Sequence, residues 1–296
     1  MTFRTRIFSS AFVALACAAG CSPTDRETQI TLALSSETQI PDELDSFSIR
    51  VISTRTGELR FAQDYFPTSG REFPATLAVI PADEDSLGSP LRVEVEGRKG
   101  AQTAVRRSSV VSFLEGRNLL LNVPLRMACF AFPDCGPNAT CAGGQCVDAE
   151  IQPTTLADFN SAYVFAEDGT CFNEVTCLSN PTELAVNQDC SFAIPAGVPQ
   201  DAGNVSIRWA AAPARILALE SNDAQEGWMR IDETHGRLSQ GACDSHFQRT
   251  DSGGRLLVSD RAEKVYFSPA CRSKTIRVPF CLSSQTGHSG IGAIVP

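Results

Sequence analysis

The chain has 296 residues, of which 43% are hydrophobic and 20% are charged, and it contains 12 cysteines. Its 25 basic and 34 acidic residues give a formal net charge of −9, which disfavours generic binding to nucleic acid and other polyanions. No apolar run reaches the roughly 18 residues that a membrane-spanning helix needs, and the sequence contains no collagen period, heptad array or low-complexity tract. The length is sufficient for one large or two ordinary domains.

Residues 1–20 have the pattern of an export signal. Arg4 and Arg6 precede an apolar stretch over 7–20 that is too short to span a bilayer. The sequence Ala-Ala-Gly-Cys at 18–21 resembles the lipobox of bacterial lipoproteins, although Ala18 stands where Leu is commonest in that family. The resemblance implies that Cys21 is diacylated, becomes the mature N-terminus and gives the chain a membrane partner through its lipid anchor.

Two alternatives to lipidation at Cys21 remain open. A second junction ends at Cys17, but lipidation there would leave eleven cysteines in an oxidising compartment, whereas lipidation at Cys21 leaves an even ten. The other alternative is a plain cleaved signal with Cys21 in an ordinary disulfide. An Asp directly after the lipidated cysteine would resemble an inner-membrane retention signal, but this chain has Ser22 at that position. We therefore expect the lipoprotein to reside in the outer membrane of a Gram-negative cell. Residues 21–28 are expected to form a polar tether.

Residues 29–126 are predicted to form an antiparallel β-sandwich. Apolar and charged residues alternate over 91–96, as they do in a strand with one buried face. Similar alternation at 30–34, 47–51, 73–79 and 119–125 is separated by glycine-containing turn signals. The layout resembles the immunoglobulin-like and transthyretin-like accessory modules of secreted bacterial proteins, which host many functions, so it carries no specific activity.

Residues 127–150 form a short Cys-rich module. Five, five and four residues separate its four cysteines, which differs from the two to four typical of zinc sites, and an exported chain meets an oxidising milieu, so disulfides are favoured over zinc. The sequence from Thr140 to Val147 is similar to the end of small EGF-like modules. This resemblance implies two bridges, Cys129–Cys141 and Cys135–Cys146.

Residues 151–296 are predicted to form a second mainly-β domain that is stabilised by disulfides. Alternating residues favour strands at 205–209, 265–267 and 276–280, an apolar run favours another at 256–258, and a helix is expected over 155–166 with Thr155 as its N-cap. Six cysteines permit fifteen connectivities. A provisional pairing, which joins the first two and last two by their closeness in sequence, is Cys171–Cys177, Cys190–Cys243 and Cys271–Cys281.

The sequence contains none of the common catalytic motifs. It lacks a His-Glu-x-x-His pair, a Gly-x-Ser-x-Gly elbow and a Walker loop, so we predict no catalytic residue, cofactor or metal. Three weaker patterns compete with ordinary surface or core roles: two histidines beside acids, acids around a tryptophan as in a glycosidase cleft, and adjacent triad residue types. The residues concerned are His235 and His246; Glu226, Trp228, Asp232 and Glu233; and Asp244, Ser245 and His246.

These observations favour a non-enzymatic binding or structural module that is anchored in the cell envelope. The expected partners are the membrane, through the lipid anchor, and an envelope protein or glycan, but not nucleic acid. The alternative is a surface-anchored hydrolase or glycan-active enzyme with its site in the C-terminal region. A lectin-like protein that binds glycan through Trp209 or Trp228 is a third possibility.

Overall fold

A computed structural model describes residues 27–36, 38, 40–41, 43–67, 73–82, 87–130, 134–165, 171–209, 215–250, 261–275 and 278. These residues form sixteen strands in five sheets, with three short helices, so the mainly-β expectation is confirmed. Cys21, the export signal, Cys281 and the strands predicted at 256–258 and 276–280 lie outside the described residues, apart from Val278. None of the described helices has the length and apolar character needed to span a bilayer.

Seven strands build the N-terminal region, in two sheets that face each other. One sheet has the order β4-β1-β7 and the other has the order β3-β2-β5-β6. Among these seven described strands only β1 and β7 pair in parallel. The strands are β1 (Gln29–Ser36), β2 (Ser46–Ser53), β3 (Leu59–Tyr65), β4 (Ala75–Val79), β5 (Leu91–Lys99), β6 (Gln102–Val111) and β7 (Asn118–Leu125).

The alternating residues of these strands meet in one apolar core. Leu32 and Leu121 come from the first sheet, whereas Phe47 and Val95 come from the second, and all four are buried. Burying an aliphatic or aromatic side chain of this size contributes about 1.5–3 kcal/mol. The two sheets therefore pack as a sandwich, as the alternation predicts, while its assignment to a particular sandwich family stays a prediction.

The chain covers one open side of this sandwich with its own residues 149–159. The Val110 N–H of β6 donates to the Ala149 carbonyl (2.7 Å), and the Leu120 N–H of β7 donates to the Ala157 carbonyl (2.9 Å). The Phe159 N–H in turn donates to the Asn118 carbonyl (2.7 Å). Unpaired edges are thereby protected, and residues 151–159, which the sequence analysis groups with the C-terminal region, contact the sandwich.

The helix expected over 155–166 is wrong in its length and its start. The structure has a 3-10 turn at Pro153–Thr155, an extended segment, and a short helix α1 (Ala162–Phe165). Because the backbone around 157–159 is paired with β7, it cannot also form helical hydrogen bonds. Val164 of α1 then packs on Ala33 and Leu120 at the outer face of the sandwich.

The Cys-rich module is a β-hairpin, and the C-terminal region contains two further sheets. The hairpin turns at Gly143 and Gly144, which both have positive φ. The C-terminal sheets have the orders β10-β16-β12-β13 and β11-β15-β14, and they share a core around Trp228 and Phe267. The remaining elements are β8 (Ala139–Ala142), β9 (Gln145–Asp148), α2 (Glu174–Cys177), β10 (Thr182–Glu183), β11 (Ser191–Ala193), β12 (Ala202–Trp209), β13 (Arg215–Ala218), β14 (Trp228–Arg230), β15 (His235–Leu238), α3 (Gln240–Phe247) and β16 (Ala262–Arg272).

Candidate functional site at the junction of the two sheet-rich regions

The turn of the Cys-rich hairpin makes backbone contact with the C-terminal region. A Cβ atom added to Gly143 would overlap the Gln225 carbonyl, and one added to Gly241, near the start of α3, would overlap the Gly143 carbonyl. Gly143 also has φ +57°, which favours glycine. Two glycines therefore allow three chain segments to approach more closely than side chains would permit.

A buried ion pair joins the sandwich, the hairpin and the C-terminal region at this point. Arg107 of β6 donates through Nη1 to the Cys141 carbonyl (2.7 Å) and to Glu226 Oε1 (2.8 Å). The Gly143 N–H donates to the same Glu226 oxygen (3.2 Å). The exposed fractions of the Arg107 and Glu226 side chains are only 14% and 6%, so one guanidinium holds all three regions in a desolvated environment.

A second buried cluster lies around Glu220, which follows β13. Glu220 Oε1 accepts from Arg126 Nη2 (3.0 Å), directly after β7, and from Lys274 Nζ (2.7 Å), after β16. Gln145 of the hairpin adds a third polar link, because its Nε2 donates to Asp244 Oδ2 on α3 (2.5 Å). Charged and polar groups from all three regions thus meet in pairs across the junction.

The pKa values of the two junction glutamates, Glu220 and Glu226, are shifted in opposite directions. Burial acts to raise the pKa of Glu220, but the charges and hydrogen bonds of Arg126 and Lys274 outweigh it and hold this pKa at about 2. Burial raises the pKa of Glu226, and the charges of Arg107 and Arg126 only partly oppose that effect. Removing one partner of a buried pair typically costs about 3–5 kcal/mol, because the other charge stays desolvated. The junction is therefore suited to holding the regions in one arrangement.

Three disulfides of the structure agree with the expected pairings. Cys129 bonds to Cys141 and Cys135 bonds to Cys146, as the EGF-like resemblance implies. Cys190 bonds to Cys243 and connects the segment before β11 to α3. The first two of these bridges stabilise the Cys-rich module, which is too short to bury a hydrophobic core of its own.

The other two provisional pairings, Cys171–Cys177 and Cys271–Cys281, are wrong. Cys177 bonds to Cys271 across 94 residues, because α2 packs against β16. Phe172, Cys177 and Ala218 form a small buried cluster with Cys271 beside it. Cys171 is also disulfide-bonded. Closeness in sequence was therefore a poor guide to pairing where the first and last parts of the region fold against each other.

The acids that were considered for a glycosidase cleft do not line one. Glu226 is bound to Arg107, and Trp228 is 2% exposed between Phe192 and Phe267, with ring centroids 5.9 and 6.5 Å away. Asp232 lies in an exposed turn instead, and accepts from the Thr234 N–H (2.7 Å). That hydrogen bond is the largest influence holding the pKa of Asp232 at about 2. Trp228 has a core role, and the Trp209 side chain lies outside what the structure describes.

The two histidines that were considered as metal ligands have different partners. His235 Nδ1, at the start of β15, lies 3.2 Å from Asp232 Oδ1, whereas His246 Nδ1 on α3 lies 3.2 Å from the Ala262 carbonyl oxygen. Ser245 Oγ accepts from the Ala262 N–H, so Ser245 and His246 serve the packing of α3 against β16, whereas Asp244 is bound to Gln145 of the Cys-rich hairpin. In the described part of the chain, no three His, Cys, Asp or Glu residues are grouped so that they could hold a metal ion.

Arg107 could not be singled out from the sequence, because residues 104–111 read Ala-Val-Arg-Arg-Ser-Ser-Val-Val and do not alternate between apolar and polar. Only the register of the folded sheet places Arg107 opposite Val95, on the face that is directed toward the core. A charged residue on that face needs a buried partner. The partner, Glu226, is 119 residues away and could not be named from sequence.

No protein-family model matches this chain, and neither a curated protein nor a solved structure matches it.

Proposed function

We propose that this chain is an outer-membrane lipoprotein, anchored through Cys21, that acts as a non-enzymatic binding module with its two sheet-rich regions held in a fixed relation. The observation that carries the fixed relation of the two regions is the junction around Arg107 and Glu226. A flexible linker would let the two regions move independently, whereas here a cross-linked hairpin, two buried ionic clusters and backbone contacts act together.

The disulfides support an exported location for the chain. Bonds such as Cys177–Cys271 and Cys190–Cys243 persist in oxidising compartments and are rare in a reducing cytosol. The basic and apolar pattern over 1–20 and the lipobox resemblance at 18–21 point to the same destination. Two or more acyl chains on one cysteine give durable membrane attachment.

The environments of the candidate acids favour binding over catalysis. Among the described acids of the C-terminal region, Glu226 has a raised pKa, as a general acid requires, yet its side chain is inaccessible and bonded to Arg107. A general acid must reach the proton that it transfers. Glu226 therefore serves the junction in this proposal.

Membrane fractionation of cells that express the full chain tests the anchor. The Cys21→Ala chain is expected to leave the outer-membrane fraction and appear in the soluble envelope fraction, while the matched Cys17→Ala chain stays with the membrane. Mass spectrometry of the native chain is expected to find a diacylated Cys21 at its N-terminus. Unchanged fractionation of Cys21→Ala, or release by Cys17→Ala alone, would overturn the assignment of the anchor to Cys21.

A further inference from the structure

A polar cleft lies where the Cys-rich module folds over the outer face of the sandwich. Its volume is about 290 Å³, and it lies between β5 and β6 on one side and residues 134–141 on the other. Side chains from both walls enter it, so neither region forms the cleft alone. The residues that matter here are Arg92, Glu94, Arg106, Ser108, Asp134 and Thr140.

The covalent and hydrogen-bonded structure of the module holds this cleft open. The Cys135–Cys146 bridge fixes the loop that carries Asp134, and Arg92 donates to the Pro137 carbonyl across the cleft. At the base, the Ser108 N–H donates to Thr140 Oγ1 (2.8 Å), and both residues are buried. A site whose walls are fixed in this way loses little conformational entropy when a ligand enters.

The charges that line the cleft are balanced. Arg92 and Arg106 oppose Glu94 and Asp134, so an anion entering the cleft meets two carboxylates and a cation meets two guanidinium groups. Arg106 also donates to Glu96 through Nε (2.9 Å) and Nη2 (2.8 Å), and Glu96 in turn accepts from Arg98 Nη2 (2.7 Å), so this neighbouring acid and base leave the balance unchanged. The balance therefore disfavours a ligand with a net charge.

The Glu94 carboxylate remains available as an acceptor. It has no hydrogen-bond or ion-pair partner among the described residues, although it is half-buried in the cleft. One oxygen of Asp134 accepts from the Gly136 N–H (2.9 Å), and a carboxylate can accept several such bonds. Strong acceptors and strong donors are thus available side by side in one small space.

We propose that this cleft binds one neutral sugar residue. Each hydroxyl of a sugar can donate to Glu94 or Asp134 while it accepts from Arg92 or a cleft hydroxyl, which satisfies the lining without adding charge. The cleft is close to the lower end of small-molecule sites, about 300–1,000 Å³, and suits a single ring. This inference rests on the proposed function in taking the chain to be a binding module, and it names the class of ligand.

Saturation-transfer difference NMR on the full chain in detergent micelles tests this site. The probes are the methyl glycosides of glucose, galactose and N-acetylglucosamine, and at least one is expected to bind with millimolar affinity. Glu94→Gln and Asp134→Asn are each expected to weaken that binding about tenfold, because a charged acceptor becomes a neutral amide. The control Glu115→Gln changes an exposed carboxylate in a turn away from the cleft and is expected to leave binding unchanged.

Three results would overturn the proposal. They are no saturation transfer to any of the three probes, transfer that survives both cleft substitutions, and displacement of the sugar by millimolar glycine, which would identify a zwitterion site. The Cys21→Ala chain is expected to bind the probes as the native chain does. Loss of membrane attachment and loss of sugar binding are therefore read out separately, and failure of one proposal is distinguishable from failure of the other.

Discussion

The sandwich and the C-terminal region are both made of two sheets around one core, but they are stabilised differently. The strands of the sandwich have five to ten residues, and residues 29–126 contain no cysteine. Among the described strands of the C-terminal region only β12 and β16 exceed four residues, and long-range disulfides that include Cys177–Cys271 and Cys190–Cys243 connect its elements. In the sandwich, long strands with a continuous apolar face are sufficient to stabilise the fold. In the C-terminal region, the strands are short and disulfides add the stability that their packing lacks.

The largest effect is expected when the longest of these links is removed. Closing a loop of 94 residues contributes about 4–5 kcal/mol through the unfolded chain, so the Cys177→Ala/Cys271→Ala chain should lose about that much stability in its C-terminal region. Native-state hydrogen exchange in urea measures this, and protection should fall over 171–275 while β2 and β5 keep theirs.

The shorter bridges provide the matched control for that experiment. The Cys135–Cys146 bridge closes only 11 residues, and its removal should cost about 3 kcal/mol, confined to the hairpin. Equal losses of protection in the sandwich and the C-terminal region would contradict the distinction between them, since the two would then unfold as one unit.

The same difference explains how much of the structure the sequence could predict. Five of the seven sandwich strands were predicted, because burial of alternate residues such as Val93 and Val95 leaves a local pattern in the chain, whereas β3 and β6 were not. The Cys177–Cys271 bond was not, because it depends on α2 packing against a strand that lies 94 residues further along the chain. The prediction of a helix over 155–166 was wrong for the same reason, since hydrogen bonding of residues 157–159 to β7 overrode the local preference for a helix.

The candidate junction was less predictable than the fold. Neither Arg107 nor its partner could be named from sequence, because β6 has no alternating pattern and Glu226 belongs to a turn whose position depends on the hairpin and α3. Lys274 shows the same limitation. Its contact with Glu220 joins the ends of two strands of one sheet, and only the completed sheet brings them together.

An acid-stability experiment compares one buried glutamate from each region. Glu96 lies between Arg98 and Arg106 on the outer face of the sandwich; burial acts to raise its pKa, but the two arginines outweigh it and leave it lowered. Glu220 has the corresponding arrangement at the junction, with a pKa of about 2 against 4.5 for the free side chain. A lowered pKa contributes stability that is present above the unfolded value and is lost as the pH falls toward the folded value.

For Glu220 this loss should amount to about 3 kcal/mol between about pH 4.5 and pH 2. Urea unfolding across pH 2–7 measures it, with the Glu220→Gln chain expected to show a flatter acid limb at the junction and the Glu96→Gln chain expected to alter only the sandwich. Glu226 acts in the opposite sense, because a raised pKa contributes stability at low pH that is lost as the pH rises. If Glu220→Gln and the native chain lost stability in parallel below pH 4.5, the role given to Arg126 and Lys274 would be wrong.

The smallest expected effect comes from adding one methyl group at the junction, with a matched glycine elsewhere. Alanine favours a helix over glycine by about 1 kcal/mol, so Gly241→Ala would stabilise α3 if the helix were isolated. Because the added Cβ would overlap the Gly143 carbonyl, the two backbone segments must move apart, and we expect the free energy of unfolding to fall by about 1–3 kcal/mol.

The matched control is Gly88. Nothing lies within 4 Å of a Cβ added there and φ is not positive, so Gly88→Ala should be neutral or stabilising by up to about 1 kcal/mol. Hydrogen exchange of the hairpin and α3 distinguishes the two substitutions, and a stabilised Gly241→Ala chain with unchanged exchange at 139–148 would mean that the hairpin is not held against the C-terminal region.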